Sequence, residues 1–277
     1  MFKNFADIFI GFLAASSLGG LTLMVLVALM GFGYMASLIV LVLWFIFCGV
    51  FFSWFAKRRV DRLDGLLNNC QVSEYVEAYD KIEARIYLGG GKRTALMNKA
   101  RGLIALGAVD EAINDLTEIG LPEKHRFKDM HLQAVLNSML FSAYVEKGEL
   151  EHAVKALSVC KYMVGDRLYR QPYLSRMIEI INRAEMRLAL AEGEFEGMEE
   201  QYKKLLEDAE TLIEEVIAHY RLAEIAEHYG REDEKREHLE FAAKHGGTTI
   251  YRYLAGLALG GGEVQDKAMY NGPIDER

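Results

Sequence analysis

The sequence predicts an all-α protein in two parts, a transmembrane helical hairpin followed by an α-solenoid of about five helix pairs. Two observations carry this. Residues 8–56 contain no charged side chain and no His, Asn or Gln, and downstream of them one apolar rhythm recurs five times behind a glycine or a cysteine. The expected divisions are 1–57 for the membrane anchor, 58–258 for a cytosolic repeat domain and 259–277 for a flexible C-terminal tail.

The apolar stretch is 49 residues long. As a single helix it would reach roughly 74 Å, more than twice the ~30 Å hydrocarbon core of a bilayer. Two spans of about 23 and 22 residues fit better. The break is expected at Gly31-Phe32-Gly33-Tyr34, where two glycines loosen the helix. A cleaved signal peptide is the rival, sketched by Lys3, the IFIGFLAA run and the small residues AASS. Asp7 and the short apolar region argue against it, and cleavage would leave an awkward single span over 21–56. Gly11, Ala15 and Gly19 form a small-residue stripe that suits close helix packing, with Gly49 and Ser53 as its matching surface on the second span.

Lys57, Arg58, Arg59 and Arg62 follow the second span directly, whereas the turn carries no charge. Positive residues stay inside, so the expectation is a two-span cell-membrane protein with both termini cytoplasmic. No Gly or Pro separates Phe51 from Arg62. The second span is therefore expected to run on unbroken into the first helix of the solenoid, through Leu63, Leu66 and Leu67. Cys48, Cys70 and Cys160 show no metal or redox spacing and fit a reducing compartment. The net charge of −8 removes the usual electrostatic drive for nucleic acid.

Counted from Gly107, the apolar residues Val109, Ala112, Ile113, Leu116 and Ile119 stand at offsets 2, 5, 6, 9 and 12, one face of a helix. Gly148 repeats all five with Leu150, Ala153, Val154, Leu157 and Cys160. Gly193 opens a third copy through Phe195, Met198, Tyr202 and Leu205, and Gly230 a weaker one through Leu239 and Ala242. An earlier copy starts at Cys70, in the glycine's place, with Val72, Tyr75, Val76, Tyr79 and Ile82. Before each origin lies another apolar helical face, such as Leu96, Ala100, Leu103 and Ile104. Each unit thus reads as helix, tight turn, helix, with glycine supplying a left-handed turn residue. A single pair cannot cover both its stripes, which is the physical reason for stacking.

These units resemble the tetratricopeptide repeat, whose pattern has a small residue in the first helix, a Gly at the turn and an Ala five positions later. Ala100, Gly107 and Ala112 match it, with Pro122 close to the family's proline, and the second unit keeps Tyr144, Gly148 and Ala153. Phe141 departs at the small-residue position, Met198 and Lys235 at the alanine position, and the spacings of 37, 41, 45 and 37 exceed the usual period. The resemblance implies a groove lined by the first helices. On this register its residues are Met97, Arg101, Ser138, Ser142, Arg183, Arg187, Tyr220 and Glu224. The three arginines suit an acidic segment or chain terminus, because a guanidinium clasps a carboxylate through two hydrogen bonds.

Signs of catalysis are missing. Gly89-Gly90-Gly91-Lys92-Arg93-Thr94 lacks the leading glycine and the Ser or Thr after lysine that a phosphate-binding loop requires, and reads as a flexible turn. The seven histidines show no zinc spacing and read as solvated. No enzyme, cofactor, metal or small-molecule substrate is expected. The expectation is a membrane-anchored scaffold that docks a protein or peptide, bound to the bilayer through residues 8–56. The alternative is an accessory subunit of a transporter or channel, against which the hairpin offers no polar midplane site.

Overall fold

The computed structural model describes residues 16–25, 27, 34–84, 89–120, 127–166, 169 and 173–260. Every regular element among them is helical, and the helices pack mostly on their neighbours in the chain. The segment 16–25 is α1. It is followed by α2 (Tyr34–Asn68), α3 (Val72–Glu83), α4 (Gly89–Leu106), α5 (Val109–Glu118), α6 (Phe127–Lys147) and α7 (Leu150–Gly165). The array continues with α8 (Tyr173–Ala191), α9 (Met198–Glu207), α10 (Leu212–His228), α11 (Glu232–His245) and α12 (Ile250–Ala258).

The five turn residues found from the rhythm share one backbone. Cys70, Gly107, Gly148, Gly193 and Gly230 have φ of 59°, 84°, 80°, 85° and 69°. After each, the next N–H reaches back to a carbonyl five residues earlier, as from Gln71 to Leu66, Ala108 to Leu103 and Glu149 to Tyr144, each at 2.9 Å. This closure satisfies carbonyls that the helix end leaves open and requires a left-handed residue. Cys70 holds that conformation against the steric penalty of its Cβ, because the turn is locked from outside, as described below.

Three expectations about these elements are corrected. Val154 is exposed rather than core, since Ala156 takes the buried place on α7. Phe195 lies before α9, which starts only at Met198 after a second left-handed residue, Gly197 with φ 71°. Gly89, Gly90 and Gly91 are not a free turn but the first turn of α4, where a helix makes few internal bonds and glycine weakens it least. Lys92 there donates to Glu118 at 2.7 Å, tying α4 to α5.

Part of the segment expected to form the hairpin is described. The Trp44 indole N–H donates to the Ser16 carbonyl at 2.8 Å, and Trp44 and Leu41 lie against Gly19 and Gly20. Gly19 therefore faces an aromatic ring, and Gly49 has open space around it, so the proposed match between Gly19 and Gly49 is absent. Gly11, Ala15 and the turn at 31–33 lie outside the described residues. The α2 side chains are described without a break from Leu38 to Phe51, and among the described residues no uninterrupted apolar run is long enough to cross a membrane.

As expected, α2 is one unbroken helix from Tyr34 to Asn68. Its first part is sheathed in exposed apolar side chains, including Ile39, Leu43, Ile46, Phe47 and Phe51, whereas its last turns bury Leu63 and Leu67 in the core of the array. The array curls enough for α10 to pack on α2, and one apolar cluster joins Leu67, Tyr75 and Leu103 to Leu136, Val216, Leu239 and Tyr251. The loop between α11 and α12 completes the closure. Thr248 N–H donates to the Cys70 carbonyl at 2.9 Å, and the Thr248 hydroxyl accepts from Val72 N–H at 2.8 Å and Ser73 N–H at 3.0 Å. The first residue before α3, Gln71, offers no side-chain cap, so the far end of the array supplies one. Gly247 makes the approach possible, because a Cβ there would collide with the Cys70 carbonyl.

Candidate partner-binding surface

The side chains predicted for a groove lie on α4, α6, α8 and α10. The structure divides the eight predicted residues into two groups. Met97, Arg101, Ser138 and Arg183 line a cleft of about 530 Å³ between α4, α6 and α8. Ser142, Arg187, Tyr220 and Glu224 belong to an internal knot of ion pairs.

Glu146 on α6 is the centre of that knot. Its Oε1 accepts from Arg187 at 2.7 Å, Arg221 at 3.0 Å and the Tyr251 hydroxyl at 2.9 Å, which links α6, α8, α10 and α12. Burial pushes the Glu146 carboxyl up, yet Arg221, Arg187 and the tyrosine hydroxyl outweigh it and hold it below the usual carboxylate range. Arg187 also donates to Ser142 Oγ at 3.0 Å, Arg221 donates to both oxygens of Glu224, and Tyr220 packs against Tyr251 with ring centroids 5.3 Å apart. Arg187 is thus engaged within the fold, by Glu146 and Ser142. Arg183 is engaged as well, donating to Glu214 at 3.1 Å and Glu179 at 2.7 Å. Helices this rich in acid supply carboxylates for their own arginines.

Arg101 remains. It is exposed, and among the described residues it makes no hydrogen bond or ion pair. Arg176 on α8 shares the cleft and the same condition. Sequence reading missed Arg176, although it lies 7 residues before Arg183 and 11 before Arg187, on the same helical face. Between the two cations the floor is apolar and compliant, with Met97, Met139, Met177 and Ile180. His131 borders the cleft, and burial, then Arg176, lowers its pKa. The cleft wall thus carries Arg101, Arg176 and Arg183 together with Glu179 and Glu214, the two carboxylates that Arg183 holds.

Two histidines expected to be solvated are instead paired. His219 on α10 and His238 on α11 approach through their Nδ1 atoms at 2.9 Å, and His219 stacks on Phe241 with centroids 3.9 Å apart. Among the described residues no cluster of three or more potential metal ligands occurs. The cysteines are free and buried, and burial raises the Cys70 and Cys160 thiols to about 11, far from a reactive thiolate.

Lys57, Arg58, Arg59 and Arg62 all lie on α2 between its exposed apolar length and its buried foot, and Arg58 covers the Trp54 ring at 4.2 Å. No family model, characterised protein or solved structure matches the chain. The fold is an all-helical array packed mostly neighbour on neighbour, compatible with a helical repeat, and no family is assigned.

Proposed function

We propose that the chain is a membrane-mounted docking platform, with 8–56 as a two-span anchor and the helical array, of tetratricopeptide type, held on the cytoplasmic side to receive an acidic protein segment. The observation that carries this reading is α2. One helix begins among exposed apolar side chains and ends as a core element of the array, which supports a direct connection between anchor and platform. Tyr34 to Ala56 contain no charged residue, and at 1.5 Å per residue such a helix reaches roughly 34 Å, enough for a bilayer core. The cleft at Arg101 and Arg176 supports the choice of an acidic partner, because these two cations lack an internal carboxylate while Arg183 and Arg187 have theirs.

The experiment has two parts. Carbonate should leave the protein in the membrane, and reporters fused at either terminus should be active in the cytoplasm. Crosslinked partners captured in mild detergent from the wild type should be lost from an Arg101→Glu, Arg176→Glu double variant that stays in the membrane and stays folded. Identical partner sets for both proteins would remove the cleft from the reading, and carbonate release would remove the anchor.

A further inference from the structure

We propose that Arg58 and Arg62, with Trp54 beneath Arg58, form a binding site for the phosphate headgroup of an anionic phospholipid. The inference rests on the membrane reading of α2. Trp54, Arg58 and Arg62 are spaced by four residues and so lie on one face of that helix. The Arg58 guanidinium sits 4.2 Å from the Trp54 ring centroid, which fixes one arm of the site and lowers the entropy lost on binding. Both arginines are exposed, and among the described residues neither they nor Lys57 and Arg59 make an ion pair, although Asp61 and Asp64 stand on the same helix. Four arginines of the array, Arg183, Arg187, Arg221 and Arg231, by contrast each hold a carboxylate at 3.1 Å or less. Among the described residues Lys57, Arg58, Arg59 and Arg62 thus place four cations without an ion pair on six consecutive residues, in a chain with net charge −8.

Their height fits a headgroup. Counted from Ala56, Arg58 and Arg62 lie roughly 3 and 9 Å further along the axis, within or just above the polar layer outside the hydrocarbon core. Leu63 and Leu67, buried directly above, prevent this helix from swinging the arginines away from the surface. Two planar forks at this level match the oxygens of one phosphate. A zwitterionic headgroup brings its own cation into the cluster, which favours lipids with net negative charge.

The full-length protein is purified in mild detergent from membranes containing phosphatidylglycerol and phosphatidylcholine, and the retained lipid is measured. The wild type should retain the anionic lipid selectively, and Arg58→Gln with Arg62→Gln should weaken that retention about 25-fold, about fivefold per cation. Arg58→Lys with Arg62→Lys should recover only part of it, since the charge returns without the fork. Both residues are exposed, so circular dichroism should show the variants folded. Equal retention of the two lipids, undiminished selectivity in the glutamine variant, or displacement of the lipid by millimolar inorganic phosphate would overturn the proposal. Carbonate release of the wild type would overturn the membrane reading, whereas carbonate resistance without lipid selectivity would overturn this site alone.

Discussion

Replacing Thr248 by valine removes one hydroxyl at almost constant volume and tests whether the two ends of the array hold each other. In the wild type that hydroxyl accepts from Val72 N–H and Ser73 N–H at 2.8 and 3.0 Å, and it is the cap that α3 otherwise lacks. Loss of a helix cap costs about 1 kcal/mol, and a half-buried donor left unsatisfied raises the figure toward about 2 kcal/mol. For a chain of this size that is a fall in melting temperature of about 2–8 °C. Local opening should show the change more directly. Amide exchange at Val72 and Ser73 should accelerate about 5- to 30-fold in detergent-solubilised protein, as expected for a stability loss of that size. Thr249→Val, which removes the cap of α12 by disturbing the Thr249 contacts with Gly246 and Arg252, should leave those two amides protected. Unchanged exchange at Val72 and Ser73 in the Thr248 variant would refute the closure.

Removing the carboxylate of Glu146 with alanine leaves Arg187, Arg221 and the Tyr251 hydroxyl without their shared acceptor and should cost about 3–5 kcal/mol by denaturant titration. Gly102→Ala should destabilise by about 1–3 kcal/mol despite better helix propensity, because its Cβ would meet Val76 Cγ2 at 2.6 Å and Tyr75 Cδ1 at 2.7 Å. Gly65→Ala, also within a helix but with no atom in reach, should stabilise by about 0.5–1 kcal/mol, and the opposite signs in thermal melts are the check. Burial, then His238 and His245, lowers the His219 pKa from 6.5 to about 4. Between those values the unfolded chain binds the extra proton, so stability should fall as pH drops through that window and His219→Gln should flatten the fall.

The repeat register was legible because one backbone requirement recurs: a left-handed residue at the end of the first helix. Glycine marks four of the five places, and the offsets from Cys70 identified the fifth without its glycine. The continuity of α2 was legible for the same local reason, the lack of a breaker between Phe51 and Arg62. What sequence spacing does not carry is curvature. Nothing near Cys70 announces that Thr248, 178 residues away, will cap the next helix. Nor does spacing show that the curl bringing α6, α8, α10 and α12 together engages Arg187, expected in the groove, in an ion network around Glu146. Arg101 makes no ion pair among the described residues because its cleft neighbours on α4 and α6 supply no carboxylate, a fact about side-chain partners that only the packed structure displays.

Pulsed electron spin distances in lipid bilayers test the central claim, an anchor and a platform joined by one helix. Labels replace the exposed Ile46 in the apolar length of α2 and Thr117 on α5, while the buried native cysteines stay unlabelled. The account predicts one narrow distance distribution, with the label at position 46 reached by lipid-soluble oxygen and hidden from a water-soluble relaxation agent. A broad distribution would contradict the rigid mount, and access of the water-soluble agent to position 46 would contradict the membrane anchor.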